Sequence, residues 1–149
     1  DDDRRALIEA LRSGVIDCVA TDHAPHAREE KEEAFEAAPM GVTGLETAFA
    51  VLVTELVLPG HLPLAALVER MTAGLEPFGL LVPTIAKGTA ANVCIADLTA
   101  TWEVGDPGYE SRSINNAFAG RTLTGRVLVT VADGAVAYRE RSFAIGVAR

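Results

Sequence analysis

Histidine, cysteine and basic side chains are all scarce in this 149-residue chain. Thirteen Lys and Arg stand against 21 Asp and Glu, a formal charge of −8. That balance argues against a nucleic-acid backbone or an anionic membrane surface as partner, because both require clustered cations. No apolar run reaches the roughly 18 to 20 residues that span a bilayer. The opening Asp1, Asp2, Asp3, Arg4, Arg5 is unlike a secretory signal. The expectation is a soluble, cytoplasmic protein that binds neither nucleic acid nor membrane. Its two cysteines, Cys18 and Cys94, each lie in a β-like apolar run. They are expected to be buried thiols rather than a disulfide or a metal pair. An initiator Met is also lacking, and the charged opening runs straight into a helical pattern. Both features raise the expectation that the sequence is a piece of a longer chain.

What the chain does have is apolar mass, 49% of its residues, enough for a substantial core in one domain or in parts of two. From residue 4 to about 13, Ala6, Leu7, Ala10 and Leu11 recur at helical spacing, with Gly14 as the stop. Residues 15–21 (VIDCVAT) are short, β-branched and mostly apolar, the pattern of a strand buried on both faces in a parallel sheet. A polar stretch follows over 23–38, with the charge run REEKEE at 28–33, expected as solvated loop with at most one short helix. Helical periodicity returns over 45–58 and ends at Pro59-Gly60, and a further helix is predicted from Pro63 or Leu64 to about Ala73. From residue 91 the pattern is β: ANVCIADL, TWEV, then two apolar runs joined by Ala132-Asp133-Gly134, a hairpin turn. Trp102 is expected to pack in that β region, and His61 to lie on the surface.

Chemistry concentrates where the first apolar run stops, in TDHAPH at 21–26. In parallel α/β folds functional side chains cluster at the C-terminal ends of strands, because the loops there vary while the strands hold them. A carboxylate at Asp22 is suited to ligating a divalent metal and to taking a proton from an attacking water. Spacing alone leaves a plainer alternative open, in which Asp22 caps a turn and the histidines are surface residues. A single Asp-His-x-x-His cluster is not by itself a zinc site, which takes three or four protein ligands.

The order of motifs goes further. TDHAPH, then EEK at 29–31 and PMGVTGLETAF at 39–49, resembles the dihydroorotase branch of the amidohydrolase superfamily, the type whose last barrel strand ends in DHAPH. PFGLLVPTIAKGT at 77–89, Ala-Asp-Leu at 96–98 and the G-x-x-L-x-G-x-V pattern at 120–127 continue the resemblance along essentially the whole chain. It implies an α/β fold: residues 1–90 as the last strand and helices of a (β/α)8 metal-dependent hydrolase barrel, and 91–149 as the C-terminal part of a small β-sandwich domain. It implies zinc, one or two ions, with Asp22 as both a metal ligand and the catalytic proton carrier. His26 and the backbone at Met40 and Gly41 are the implied substrate contacts, with His23 as support; Met40 stands where the family more often has Phe.

The implied reaction is the zinc-dependent interconversion of N-carbamoyl-L-aspartate and L-dihydroorotate in pyrimidine synthesis. The family's His-x-His, bridging carboxylate or modified lysine, and two later histidines have no counterpart here and are expected upstream. The resemblance leaves two alternatives. One is another cyclic amidohydrolase, of hydantoinase or allantoinase type. The other is a catalytically silent scaffold for aspartate transcarbamoylase, which is the expected candidate partner beside self-association into a homo-oligomer.

Overall fold

The computed structural model describes residues 1–106 and 108–143. The first helix, α1 (Asp2–Ser13), opens with Asp2 and Asp3 in its first turn and closes with Arg12 in its last, each charge complementing the helix dipole. It ends at Gly14, as the sequence predicts. The chain then runs extended without joining a sheet. The strand expected over 15–21 is therefore not formed: Val15 is 77% exposed, and no strand lies beside the segment among the described residues. A strand needs a neighbour to satisfy its amides. Here Val19 N instead donates to Arg70 O at 3.0 Å, and Arg70 Nε donates to Leu11 O at 3.1 Å.

The short α2 (Arg28–Lys31) lies inside the charge run. The predicted 45–58 helix begins later, as α3 (Ala48–Leu52), and widens into a π-helical turn over Val53–Val57. There Leu58 N reaches back five residues to Val53 O. After Pro63, α4 (Leu64–Thr72) places Leu67 fully inside, and a 3-10 segment Ala73–Phe78 follows it.

Strands β1 (Val93–Glu103), β2 (Thr122–Ala132) and β3 (Ala135–Arg139) form one antiparallel sheet in the order β1-β2-β3. VCIADL and TWE, from the two stretches expected to be β, belong to the single strand β1. It is interrupted by a bulge after Asp97, whose carboxylate accepts the N–H groups of Thr99 and Ala100. The β2-β3 turn is the expected one, with Asp133 and Gly134 both at positive φ (48 and 79). Two cores flank α3. Leu11, Val53, Leu62 and Leu67 gather on the helical side, and Ala50, Val104 and Leu123 on the sheet side. The same helix thus ties the two regions together. Neither cysteine is buried as expected: Cys18 is half-buried on the extended segment and Cys94 is exposed on the outer strand β1.

Candidate functional site

Two loops lie side by side, 22–26 after the extended segment and 39–45 before α3. Their pairing is backbone to backbone at one point, where Ala24 N donates to Val42 O at 3.0 Å. His23 adds a second tie. Its Nδ1 accepts the N–H groups of Gly44 (3.1 Å) and Leu45 (3.3 Å), which puts the ring proton on Nε2. His26 supplies the third, donating from Nε2 to Met40 O at 3.0 Å. Its Nδ1 lies 3.6 Å from Glu30 Oε2, an oxygen already accepting Ala27 N at 2.9 Å.

Gly41 is needed where these loops meet. Its φ is +103, and a Cβ there would come within 2.6 Å of Ala24 Cβ. Met40 has its side chain in solvent, 93% exposed, so its contribution to the site is through its backbone. Asp22 sits in the left-handed region at φ +46, which Asp tolerates better than most residues. Its carboxylate is exposed and makes no hydrogen bond or ion pair among the described residues. Backbone strain at a residue whose functional group is left uncommitted is a pattern found at active sites.

The structure thus joins His26 directly to Met40 and sets Gly41 against the same loop. Asp22 lies four residues before His26, with its carboxylate free. Sequence reasoning missed the residues that hold the 39–43 loop. Lys31 Nζ donates to Pro39 O at 2.6 Å and to Gly41 O at 3.2 Å. Asn115 Nδ2 donates to Gly41 O at 3.0 Å, and Thr43 N donates to Asn115 O at 2.8 Å. Asn116 Nδ2 reaches Thr43 O at 3.1 Å. Lys31 sits in the EEK motif and its neighbourhood was the available signal. Asn115 is 74 residues from Gly41, and nothing local marks it.

For a metal, the residues present fall short of a site. His23 Nδ1 and His26 Nε2 are taken by protein groups, which leaves the Asp22 carboxylate and His26 Nδ1, 3.6 Å from Glu30 Oε2, as the uncommitted donors of the motif among the described residues. Among the described residues, no three His, Cys, Asp or Glu side chains converge. A zinc ion takes three or four protein ligands.

A separate cavity of about 300 Å³ opens between α3 and the sheet, lined by Phe49, Trp102, Arg126, Tyr138 and Glu140 among others. None of Asp22, His26, Met40 and Gly41 borders it. Its polar wall is a structural charge pair. Arg126 Nη2 is 3.2 Å from Glu140 Oε1 and lies over the Trp102 ring at 5.3 Å. The Ser142 hydroxyl and amide hold the Glu140 carboxyl below its ordinary value, with Arg126 assisting.

No family model matches the chain. Among solved structures it superposes on a D-hydantoinase (dihydropyrimidinase) from a Thermus species with a TM-score of 0.80 and 32% identity, over 91% of this chain and 31% of that one. The dihydropyrimidinase of Brevibacillus agri gives 0.82 at 25% identity, again over 91% of this chain and 31% of that one. By fold the chain is therefore similar to about a third of each of these hydantoinase and dihydropyrimidinase structures of the amidohydrolase superfamily. In sequence it is similar to curated proteins named dihydroorotase. It is 46% identical to that of Carboxydothermus hydrogenoformans over 142 residues, and 40% identical to that of Enterococcus faecalis over 141. These matches take in 93% and 94% of this chain but 33% of each relative. The chain spans about a third of the length of the curated relatives it matches.

Proposed function

We propose that the chain carries the proton-transfer carboxylate and the substrate-side loop of a dihydroorotase, interconverting N-carbamoyl-L-aspartate and L-dihydroorotate. The observation that carries this reading is the paired-loop geometry. An unengaged Asp22 carboxylate stands at the head of a segment stitched to the 40–45 backbone through Ala24, His23 and His26. Identity of 40–46% to proteins named dihydroorotase supports this substrate over a hydantoin, for which the two solved relatives give 25–32%.

In the ring-opening direction water adds across the amide, forming a C–O bond and breaking C–N. Asp22 takes the proton from the attacking oxygen and returns it to the departing ring nitrogen, so one carboxylate serves both transfers. With Nε2 held by Met40 O, His26 has its Nδ1 edge left for the substrate. The amides around Gly41 can approach a ligand closely because no Cβ intervenes. Zinc enters the reading only as an ion to which Asp22 gives one ligand, with the rest from outside these residues. The proposal places residues 1–90 in a (β/α)8 barrel and 91–149 in a small β domain. A homo-oligomer and an aspartate transcarbamoylase partner belong to the same reading, in a cytoplasmic setting.

The test is a substrate panel on the product of the complete reading frame, with Asp22→Asn beside it. Asn also tolerates the left-handed backbone, so the fold is kept while the proton carrier is lost. Dihydroorotate should be the preferred ring, and the variant should lose about 10²- to 10⁴-fold in kcat. Faster turnover of a hydantoin than of dihydroorotate overturns the substrate assignment. An Asp22→Asn enzyme of undiminished kcat overturns the role of Asp22.

A further inference from the structure

We propose that Lys31 and Asn115 are positioning residues that aim the amides of the 40–42 loop at the carboxylate of the substrate, an inference that rests on the reading of the site just given. In a trans peptide the carbonyl of one residue and the N–H of the next lie in one plane and point in opposite directions. Whatever holds the carbonyl therefore aims the N–H that follows.

Three consecutive peptides are held in this way. Lys31 Nζ takes Pro39 O (2.6 Å), His26 Nε2 takes Met40 O (3.0 Å), and Lys31 (3.2 Å) with Asn115 Nδ2 (3.0 Å) takes Gly41 O. The N–H groups of Met40, Gly41 and Val42 point away from those clamps and have no acceptor among the described residues. Successive unspent amides of this kind suit an anion.

Lys31 has four glutamates beside it, Glu29, Glu30, Glu32 and Glu33, and its ammonium nevertheless forms no ion pair among the described residues. Arg28 takes Glu32 instead. The Lys31 charge is spent on two backbone carbonyls, half-buried beneath the loop, where it also favours an anionic ligand on the far side. Asn115 is itself fixed by its own carbonyl, which accepts Thr43 N (2.8 Å) and Thr43 Oγ1 (3.1 Å). The segment ahead of β2 thereby sets the loop that precedes α3.

The experiment uses binding, so that it does not depend on turnover. The product of the complete reading frame, with Lys31→Met, Lys31→Arg and Asn115→Ala variants, is titrated with orotate and with uracil, the same ring without its carboxylate. Lys31→Met and Asn115→Ala should each weaken orotate by about tenfold or more, with uracil changed by less than about twofold and the unfolding midpoint kept. Lys31→Arg, which retains donors, should recover most of the loss. Equal loss for both ligands, or orotate affinity within about twofold of the parent in either variant, overturns the brace. A parent that binds orotate but does not turn over dihydroorotate overturns the functional reading and leaves the brace standing. A parent that binds no orotate overturns both.

Discussion

Asp22 and Glu140 are both carboxylates, and their surroundings are opposite. Asp22 is in solvent with no partner among the described residues, on a backbone that disfavours most residues. Glu140 is 5% exposed and held on every side, by Ser142 N at 2.7 Å, the Ser142 hydroxyl, and Arg126. A group tied down so fully stabilises the fold and does not exchange protons readily. The lowered carboxyl value of Glu140 makes this testable. A carboxyl whose folded-state value lies below its ordinary 4.5 contributes stability that is complete above that pH and is lost as pH falls through the lowered value. Glu140→Gln should thus melt below the parent at pH 7, with the gap narrowing as the pH falls below 4.5. A gap that stays constant across thermal melts from pH 7 to 3 rules out the ionised pair as its source.

Among the elements, α3 and its π-helical continuation do most to join the chain. Thr54 makes the join specific. Its hydroxyl donates to Thr124 O at 3.2 Å and accepts Thr124 N at 2.8 Å, so a helix side chain closes a stretch of the β2 edge that β3 does not reach. An open edge would otherwise leave both groups without a partner. Thr54→Val keeps the shape and removes both bonds, at an expected cost of about 1–3 kcal/mol. The urea midpoint should fall with the slope unchanged. An unchanged midpoint would mean that water replaces the hydroxyl without loss. Sequence periodicity located α3 to within three residues of its start, because apolar spacing is a local property. The strand over 15–21 went the other way. Its apolar, β-branched composition is right for a sheet, but a strand exists only through a neighbour. Here Arg70 takes the place of one.

At the scale of the whole molecule, surface outweighs core. The chain exposes 10344 Å², against about 7,300 Å² for a compact monomer of its mass. Part of the excess is apolar: Leu81 and Ile85 are 94% and 92% exposed, and Phe35 and Met40 are each 93% exposed. Apolar surface of this extent favours association. The 149-residue chain should elute in size-exclusion chromatography at a mass that rises with loading concentration; a constant monomer mass from low to high micromolar would contradict that expectation. Among the described residues, no helix is long and apolar enough to cross a membrane.

By itself the sequence determined what depends on neighbours along the chain: the Asp-His-x-x-His order, the helical faces, and the Asp133-Gly134 hairpin. It also carried the family resemblance, since motif order survives without coordinates. Only the tertiary structure decided how the pieces work together. It spent His23 on the Gly44 and Leu45 amides, left Asp22 free, brought Asn115 across 74 residues to Gly41, and turned Lys31 from its acidic run to the loop carbonyls. Hydrogen-bond partners are chosen by proximity in space, and a donor 74 positions away leaves no periodic or compositional trace beside its acceptor.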